Sequence, residues 1–370
     1  MKATVLRPGE LGASEIAAWC AMQGASPELL NPFLSPGFTQ AVSRARPDTR
    51  VAVLEDGGQV AGFFPFQQAR MRIALPLAAG VSDGQAVVHR PGFQWGPLEL
   101  LTACNLDVWE FDHLLSSQIP PVQRATRQRA AADCARVTCR DSPIIDVSGG
   151  FEAYAEHQRQ STRRSFRTTL YKERKLAREI GPVRITFDAA DANGLRLLLQ
   201  WKSAQYRRTG RRDRFATGWI ERLVWDLFGH AQHGCDGTLT VLRAGDRIVA
   251  AHFGLRSATS LSCWFPAYDP ALARYSPGLI LYVRMAEAAA EAGLGHLDLG
   301  KGDEIYKQWL KTHDLTVGEG ALYRPSMAAI MHGARRMPVG YASGFVLRHQ
   351  RLRRVARRTL ARVGRIRSAA

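Results

Sequence analysis

The sequence predicts a mixed α/β fold. It is built as two halves, each a largely antiparallel sheet flanked by helices, with a basic helical tail behind them. Three observations carry this reading. The chain has 370 residues, which at roughly 150 per domain suggests two domains. β-rich hairpins alternate with stretches of helical periodicity along the chain. One hairpin pattern occurs twice: Val53-Leu54 then Gly57 and an apolar strand, and Val241-Leu242 then Gly245 and an apolar strand. Generic hairpins share that pattern, so it fits either chance or two related halves.

The elements follow in order. Ser35-Pro36-Gly37 starts a helix over 36–46, with Ser as cap and Pro in the first turn. The runs 51–55 and 59–66 flank Asp56-Gly57-Gly58 as a hairpin. Residues 70–100, rich in Gly and Pro, read as short strands and loops. A helix is expected over 105–117 and a strand within 134–146. Phe166, Leu170, Ala177 and Ile180 give 151–180 a helical period. A strand at 183–188 and helices at 191–208 and 217–231 come next. A three-stranded meander starts at 238, turning first at Gly245-Asp246. A helix from Pro277 to Glu291, a strand at 296–300 and a short helix after Gly302 complete the second half. In the tail, Phe345, Leu352, Val355, Leu360, Val363 and Ile366 favour one helical face, with Arg around the rest. These readings divide the chain at 1–148, 149–325 and 326–370.

A composition of 46% hydrophobic and 22% charged residues excludes global disorder, a collagen repeat and a disulfide mini-scaffold. The net charge is +17, but residues 320–370 hold +12 of it and 156–184 hold +6. The remainder is near neutral, which argues against a nucleic-acid binder that uses its whole surface. Only seven basic residues are Lys, and three of them, Lys301, Lys307 and Lys311, fall close together. Six cysteines at irregular spacing with no CxxC pair read as reduced thiols, and no metal is expected. No apolar run approaches the 18 residues of a spanning helix, and the start lacks a signal-peptide core. The expectation is a cytoplasmic protein whose residues 345–367 can sit on an anionic membrane at the inner face of the cell membrane.

Candidate chemistry concentrates in 261–311. Ser276-Pro277-Gly278-Leu279 opens a helix, where a cap, a proline without an N–H and a bare glycine favour an anion such as a pyrophosphate. The same triplet opens the 36–46 helix, so an ordinary capped helix also fits. Asp298-Leu299-Gly300-Lys301-Gly302-Asp303-Glu304 lies at a strand's carboxyl end, where α/β sheets place ligands. A plain turn with Asp303 as a cap is the alternative. Lys307 can bind a phosphate or carboxylate and Tyr306 can donate a proton, beside Trp309; an amphipathic turn uses the same residues. His252 between Ala251 and Phe253 reads as a hydrogen-bonded core histidine. Trp264 and Tyr268 flank Phe265-Pro266-Ala267 and suit a pocket wall or a core. Asp83 in VSDGQ has no visible partner.

The order FPAYDP, YSPGLIL, HLDLGKGDEIYKQWL resembles the acetyltransferase domain of the cellulose-biosynthesis CelD type, within the GNAT superfamily. NPFLSPGF, VLEDGGQVAGFFPFQ and VSDGQ resemble that family's leader, so the likeness spans about 30–320. The resemblance implies two GNAT-like halves in tandem, as in FemAB-type transferases, with the second half competent. It implies acetyl-CoA or another acyl-CoA as co-substrate, bound by Trp264, Phe265 and the stretch Arg274, Tyr275, Ser276, Pro277, Gly278 and Leu279. That stretch is one residue longer than the superfamily pattern. A strand amide near Trp264–Pro266 would stabilise the oxyanion. Asp298 or Asp303 would accept a proton, and Tyr306 or Tyr268 would protonate the leaving thiolate.

The implied activity is N- or O-acyl transfer to a small-molecule or saccharide acceptor, linked to polysaccharide or cell-envelope biosynthesis. The alternatives are an aminoacyl transferase using charged tRNA, whose phosphates the 158–178 segment would meet, and a degenerate scaffold docking on a membrane or partner.

Overall fold

The computed structural model describes residues 1–119, 135–230 and 233–333. The turn at Asp56-Gly57-Gly58 joins β2 (Thr49–Asp56) to β3 (Gln59–Ala69), and Gly245 joins β9 (Asp236–Ala244) to β10 (Arg247–Arg256). Gly57, Gly58 and Gly245 all have positive φ, which these tight turns require. Before the first hairpin lie β1 (Lys2–Leu6), α1 (Ala13–Gly24) and α2 (Pro36–Ala45). After it come β4 (Ile73–Leu75), β5 (Val88–His89), α3 (Pro97–Ala103), β6 (Val108–Leu115) and β7 (Ala135–Asp146). The second half contains α4 (Phe151–Ser161), α5 (Arg163–Glu179), β8 (Val183–Thr186), α6 (Ala192–Arg208) and α7 (Trp219–Gly229). Past β9 and β10 it continues through β11 (Ser260–Tyr268), α8 (Pro277–Glu291), β12 (His296–Asp298), α9 (Ile305–Leu310) and β13 (His313–Tyr323).

All these strands form one sheet in the order β1-β2-β3-β4-β6-β13-β7-β12-β11-β10-β9-β8, with β5 paired to β3. The order is palindromic. In each half four antiparallel strands meet a fifth in parallel, β4 with β6 and β11 with β12. The halves then exchange strands: β7, from the first segment, pairs with β12, and β13, from the second, pairs with β6. β7 and β13 pair with each other along most of their length.

Alternate residues of β9 face two cores, as a strand's period of two demands. Leu239 and Val241 join a cluster with Leu198 and Leu223 of α6 and α7, whereas Leu242 and Ala244 join one with Leu281 and Met285 of α8. The first cluster also takes Phe33, Phe38 and Val81 from the first half, so the two halves share a core.

The helix expected over 105–117 is the strand β6. Apolar residues at 106, 109 and 114 fit a helical period and those at 109, 111 and 115 a strand's period of two. Pairing with β4 on one side and β13 on the other decides for the strand. β1, α1 and β13 are elements that the sequence reading left unassigned. The tail face at 345–367 lies outside the described residues.

Candidate functional site

β11 and β12 pair only through Ser260–Ser262 and His296–Asp298. Beyond that the strands part, and a cleft of about 910 Å³ opens beside Pro266, Ala267 and Tyr268. Its other walls are Lys202, Gln205, Tyr206 and Arg211 at the end of α6, Ser276, Gly278, Leu279 and Tyr282 of α8, and Asp303, Glu304, Tyr306 and Trp309 around α9. Of the predicted residues, the structure brings together Tyr268, Ser276, Gly278, Leu279, Asp303 and Tyr306.

The two Ser-Pro-Gly triplets behave differently. Ser35 caps α2, its hydroxyl accepting from the Phe38 N–H at 3.0 Å. Ser276 is left-handed (φ 54°, ψ 52°) and makes no side-chain cap. Its hydroxyl instead accepts from Lys172 Nζ of α5 at 2.7 Å. Pro277 has no N–H, and the Gly278 amide has no hydrogen-bond partner among the described residues, whereas those of Leu279 and Ile280 bond to the Ser276 carbonyl. A non-Gly residue in the left-handed region costs energy. Here it leaves the helix start open and flanked by an ammonium, which suits an anion.

Several expected site residues lie elsewhere. Asp298 is buried, does not line the cleft, and accepts from Ser142 Oγ and the Gly300 N–H, both at 2.8 Å. Lys307 is buried as well and donates to the Gly300 and Lys301 carbonyls at 2.9 and 3.2 Å. Both hold the turn carrying Asp303 and Glu304 instead of facing a ligand. Trp264 and Phe265 stack on each other in the core, 4.7 Å between ring centroids, and the Trp264 indole donates to the Val81 carbonyl. Tyr275 is fully buried, Pro277 is buried at the first helical position, and Arg274 lies over the Tyr275 ring beside Glu179. The Trp264 N–H donates to His252 Nε2 at 3.2 Å, so it is not free for an oxyanion, and Pro266 has no N–H.

Asp83 does have a partner. Its carboxylate lies 3.3 Å from His113 Nε2, and His113 Nδ1 lies 3.2 Å from Asp112. Burial raises the Asp83 carboxyl above its ordinary value despite His113. For His113, burial pulls down, but the hydrogen bond to Asp112 and the two carboxylates outweigh it and raise the imidazole. This cluster sits at the seam of the two halves, with Lys301 bridging the Asp112 carbonyl and Glu319.

The sequence reading missed Lys202, Gln205, Tyr206, Arg211 and Tyr282 as site residues. Lys202 Nζ donates to the Pro266 carbonyl at 3.0 Å. Burial, then Arg211 and Arg214, pull its pKa down to about 8. Tyr282 and Tyr306 stack at 5.8 Å, and burial raises both phenols, so they keep their protons at neutral pH. One Glu304 oxygen is buried without a hydrogen-bond partner among the described residues, and the carboxylate lies 3.7 Å from Arg211 and 3.6 Å from Lys307.

A cleft where two parallel strands part, beside an open helix start, is now in place on the second half. Residues 164–308 match the acetyltransferase (GNAT) domain family. That match assigns an acyltransferase domain to the second half. No curated protein matches the chain. Solved structures share the fold of nearly the whole chain. FemX is 10% identical, with a TM-score of 0.55 over 87% of this chain and 96% of its own. A conserved protein of unknown function from Bacteroides thetaiotaomicron is 12% identical, with a TM-score of 0.53 over 85% and 98%. A C-terminal domain assigned to a lysylphosphatidylglycerol synthetase of Agrobacterium fabrum is 14% identical, with a TM-score of 0.52 over 87% and 95%.

Proposed function

We propose that the protein is an acyl-CoA-dependent acyltransferase, acetyl-CoA being the simplest donor, acting on an amine or hydroxyl of a small-molecule or saccharide acceptor in polysaccharide or cell-envelope biosynthesis. One observation carries the donor: the open start of α8, with the unpartnered Gly278 amide and Lys172, borders the cleft inside the matched segment. These groups would hold the donor's pyrophosphate. Tyr268, Leu279 and Tyr282 would hold its acyl arm. The donor supplies an acyl group activated as a thioester. Glu304 lines the cleft, and its carboxylate can accept the acceptor's proton. Tyr306 keeps a proton to donate.

Thermal-shift titration with acetyl-CoA, longer acyl-CoAs and tRNA tests the reading, since a ligand's stabilisation grows with the logarithm of its concentration over Kd. A shift with acyl-CoA at micromolar concentration is expected. No shift with any CoA sinks the proposal.

A second reading, transfer from aminoacyl-tRNA, is favoured by α5. Arg163, Arg164, Arg167 and Arg174 are exposed and have no ion-pair partner among the described residues, and Tyr171 between them is 53% exposed. Basic groups interleaved with an exposed aromatic suit single-stranded nucleic acid. Binding of tRNA that falls steeply with salt would favour it.

No helix among the described residues is long and apolar enough to cross a membrane. We further propose that residues 345–367 attach a cytoplasmic protein to anionic lipid at the inner face of the membrane. Each basic residue near the surface would contribute on the order of 1 kcal/mol. Vesicle co-sedimentation that is unchanged on deleting 326–370 would dispose of this.

A further inference from the structure

Lys202 is a cation on a cleft wall with no carboxylate ion pair among the described residues. Its ammonium donates to the Pro266 carbonyl on the unpaired edge of β11. An ammonium has three N–H donors, and this bond uses one of them. The two neighbouring positions on β11 offer no amide toward the cleft: the Trp264 N–H is held by His252, and Pro266 has none. At Trp264 and Pro266 the edge of β11 therefore offers an acyl oxygen no N–H, and the Lys202 ammonium lies beside this stretch on the Pro266 carbonyl. Building on the acyl-CoA reading above, we propose that the Lys202 ammonium is the hydrogen-bond donor to the acyl carbonyl oxygen in the cleft.

The groups facing Lys202 agree with that role. Arg211 and Arg214 follow α6, Glu304 and Lys307 come from the α9 side, the Tyr206 ring lies 5.5 Å from Nζ, and His252 of β10, which the Lys202 charge helps keep neutral, faces it from the sheet. Glu304, whose charge acts on Lys202 from across the cleft wall, ion-pairs with Arg211 and Lys307 and makes no ion pair with Lys202 among the described residues. During acyl transfer the acceptor's N–C or O–C bond forms as the C–S bond breaks. The acceptor loses a proton and the departing thiolate gains one. In between, negative charge passes over the carbonyl oxygen, where a fixed cation counts most. Burial and the neighbouring arginines bring the ammonium's titration down to about 8, so its donor capacity should fall as pH rises through that value.

The test compares wild type with Lys202→Met and Lys202→Arg by calorimetric binding of acetyl-CoA and of free CoA, and by turnover. Met keeps the apolar stem, and circular dichroism and Tm check that it folds. In wild type, acetyl-CoA should bind more tightly than CoA below pH 7.5, with the margin shrinking by pH 9. Lys202→Met should erase that margin while leaving CoA affinity intact, and kcat/KM should fall on the order of 10²-fold. Lys202→Arg should keep part of the margin and move its loss to higher pH. A Met variant with the wild-type margin overturns the assignment, as does a stable acyl adduct on Lys202 in the intact mass, which would make it a nucleophile. If wild type binds neither CoA nor acetyl-CoA, the acyl-CoA reading fails and this assignment fails with it. Normal CoA binding with an unchanged margin removes Lys202 alone.

Discussion

Acid should destabilise the protein through one buried imidazole. His252 on β10 is fully buried, and its Nε2 accepts the Trp264 N–H, which only a neutral ring can do. Burial, then the charge of Lys202, push its pKa down to about 3. An unfolded histidine titrates near 6.5. The folded value is the lower one, so the stability from the neutral ring is fully present above pH 6.5. It is lost as pH falls from 6.5 toward 3, because the unfolded chain takes up a proton that the fold refuses. At pH 5 the unfolded state has gained about 1.5 units of protonation advantage, or about 2 kcal/mol. The assay is urea denaturation at pH 7.5 and pH 5 for wild type and His252→Gln. The Gln carbonyl can still accept the Trp264 N–H but does not titrate. Other ionisable groups contribute alike to both proteins and cancel in the comparison. Wild type should lose about 2 kcal/mol more than the variant between the two pH values. Equal losses would refute the argument that burial holds His252 neutral.

Other predictions concern the cleft and the core. Gly300→Ala puts a methyl at φ +73°, 2.8 Å from Asp83 Oδ2, while Gly293→Ala meets φ +76° with nothing within 4 Å. Both pay backbone strain of about 1–2 kcal/mol, so a urea midpoint lower for Gly300→Ala isolates the Asp83 contact, and equal midpoints would discount it. Lys172→Ala should raise KM for the acyl donor severalfold with kcat little changed, because its ammonium flanks the helix start and not the reacting atoms; steady-state kinetics decides. Leu281→Ala, at a fully buried site of α8, should cost about 2–5 kcal/mol in urea unfolding.

Much of the architecture was legible because its signals are local. Asp56-Gly57-Gly58 and Ser35-Pro36-Gly37 name their turn and helix start by residue chemistry alone, and α8 begins and ends where the sequence places it. The sequence reads β6 as a helix because apolar residues at 106, 109 and 114 fit the helical period while 109, 111 and 115 fit a strand's, and only β4 and β13, distant in sequence, settle the question. The site was half legible. Ser276, Gly278, Asp303 and Tyr306 sit on one contiguous stretch whose chain order preserves their neighbourhood. Asp298 and Lys307 belong to that stretch too, but neither strand alternation at 298 nor helical spacing at 307 shows that Asp298 bonds to Ser142 of β7 and Lys307 to the carbonyls of the turn before α9. Lys202 is one of only seven lysines in an arginine-rich chain, a faint signal. Its place on the cleft depends on α6 packing across β11, which no local pattern encodes.

The exchange of β7 and β13 limits how the molecule can move. Each half hands its last strand to the other, and the two strands are also zipped together, so neither half can swing away without stripping backbone hydrogen bonds from both sides of the seam. Clamshell opening, a common way for two-lobed proteins to admit large ligands, is thereby closed to this one. Traffic into the cleft must pass through its own mouth, between the walls that α6, α8 and α9 build. Cutting the gene between the halves would leave each fragment with a raw sheet edge, the kind that seeds aggregation.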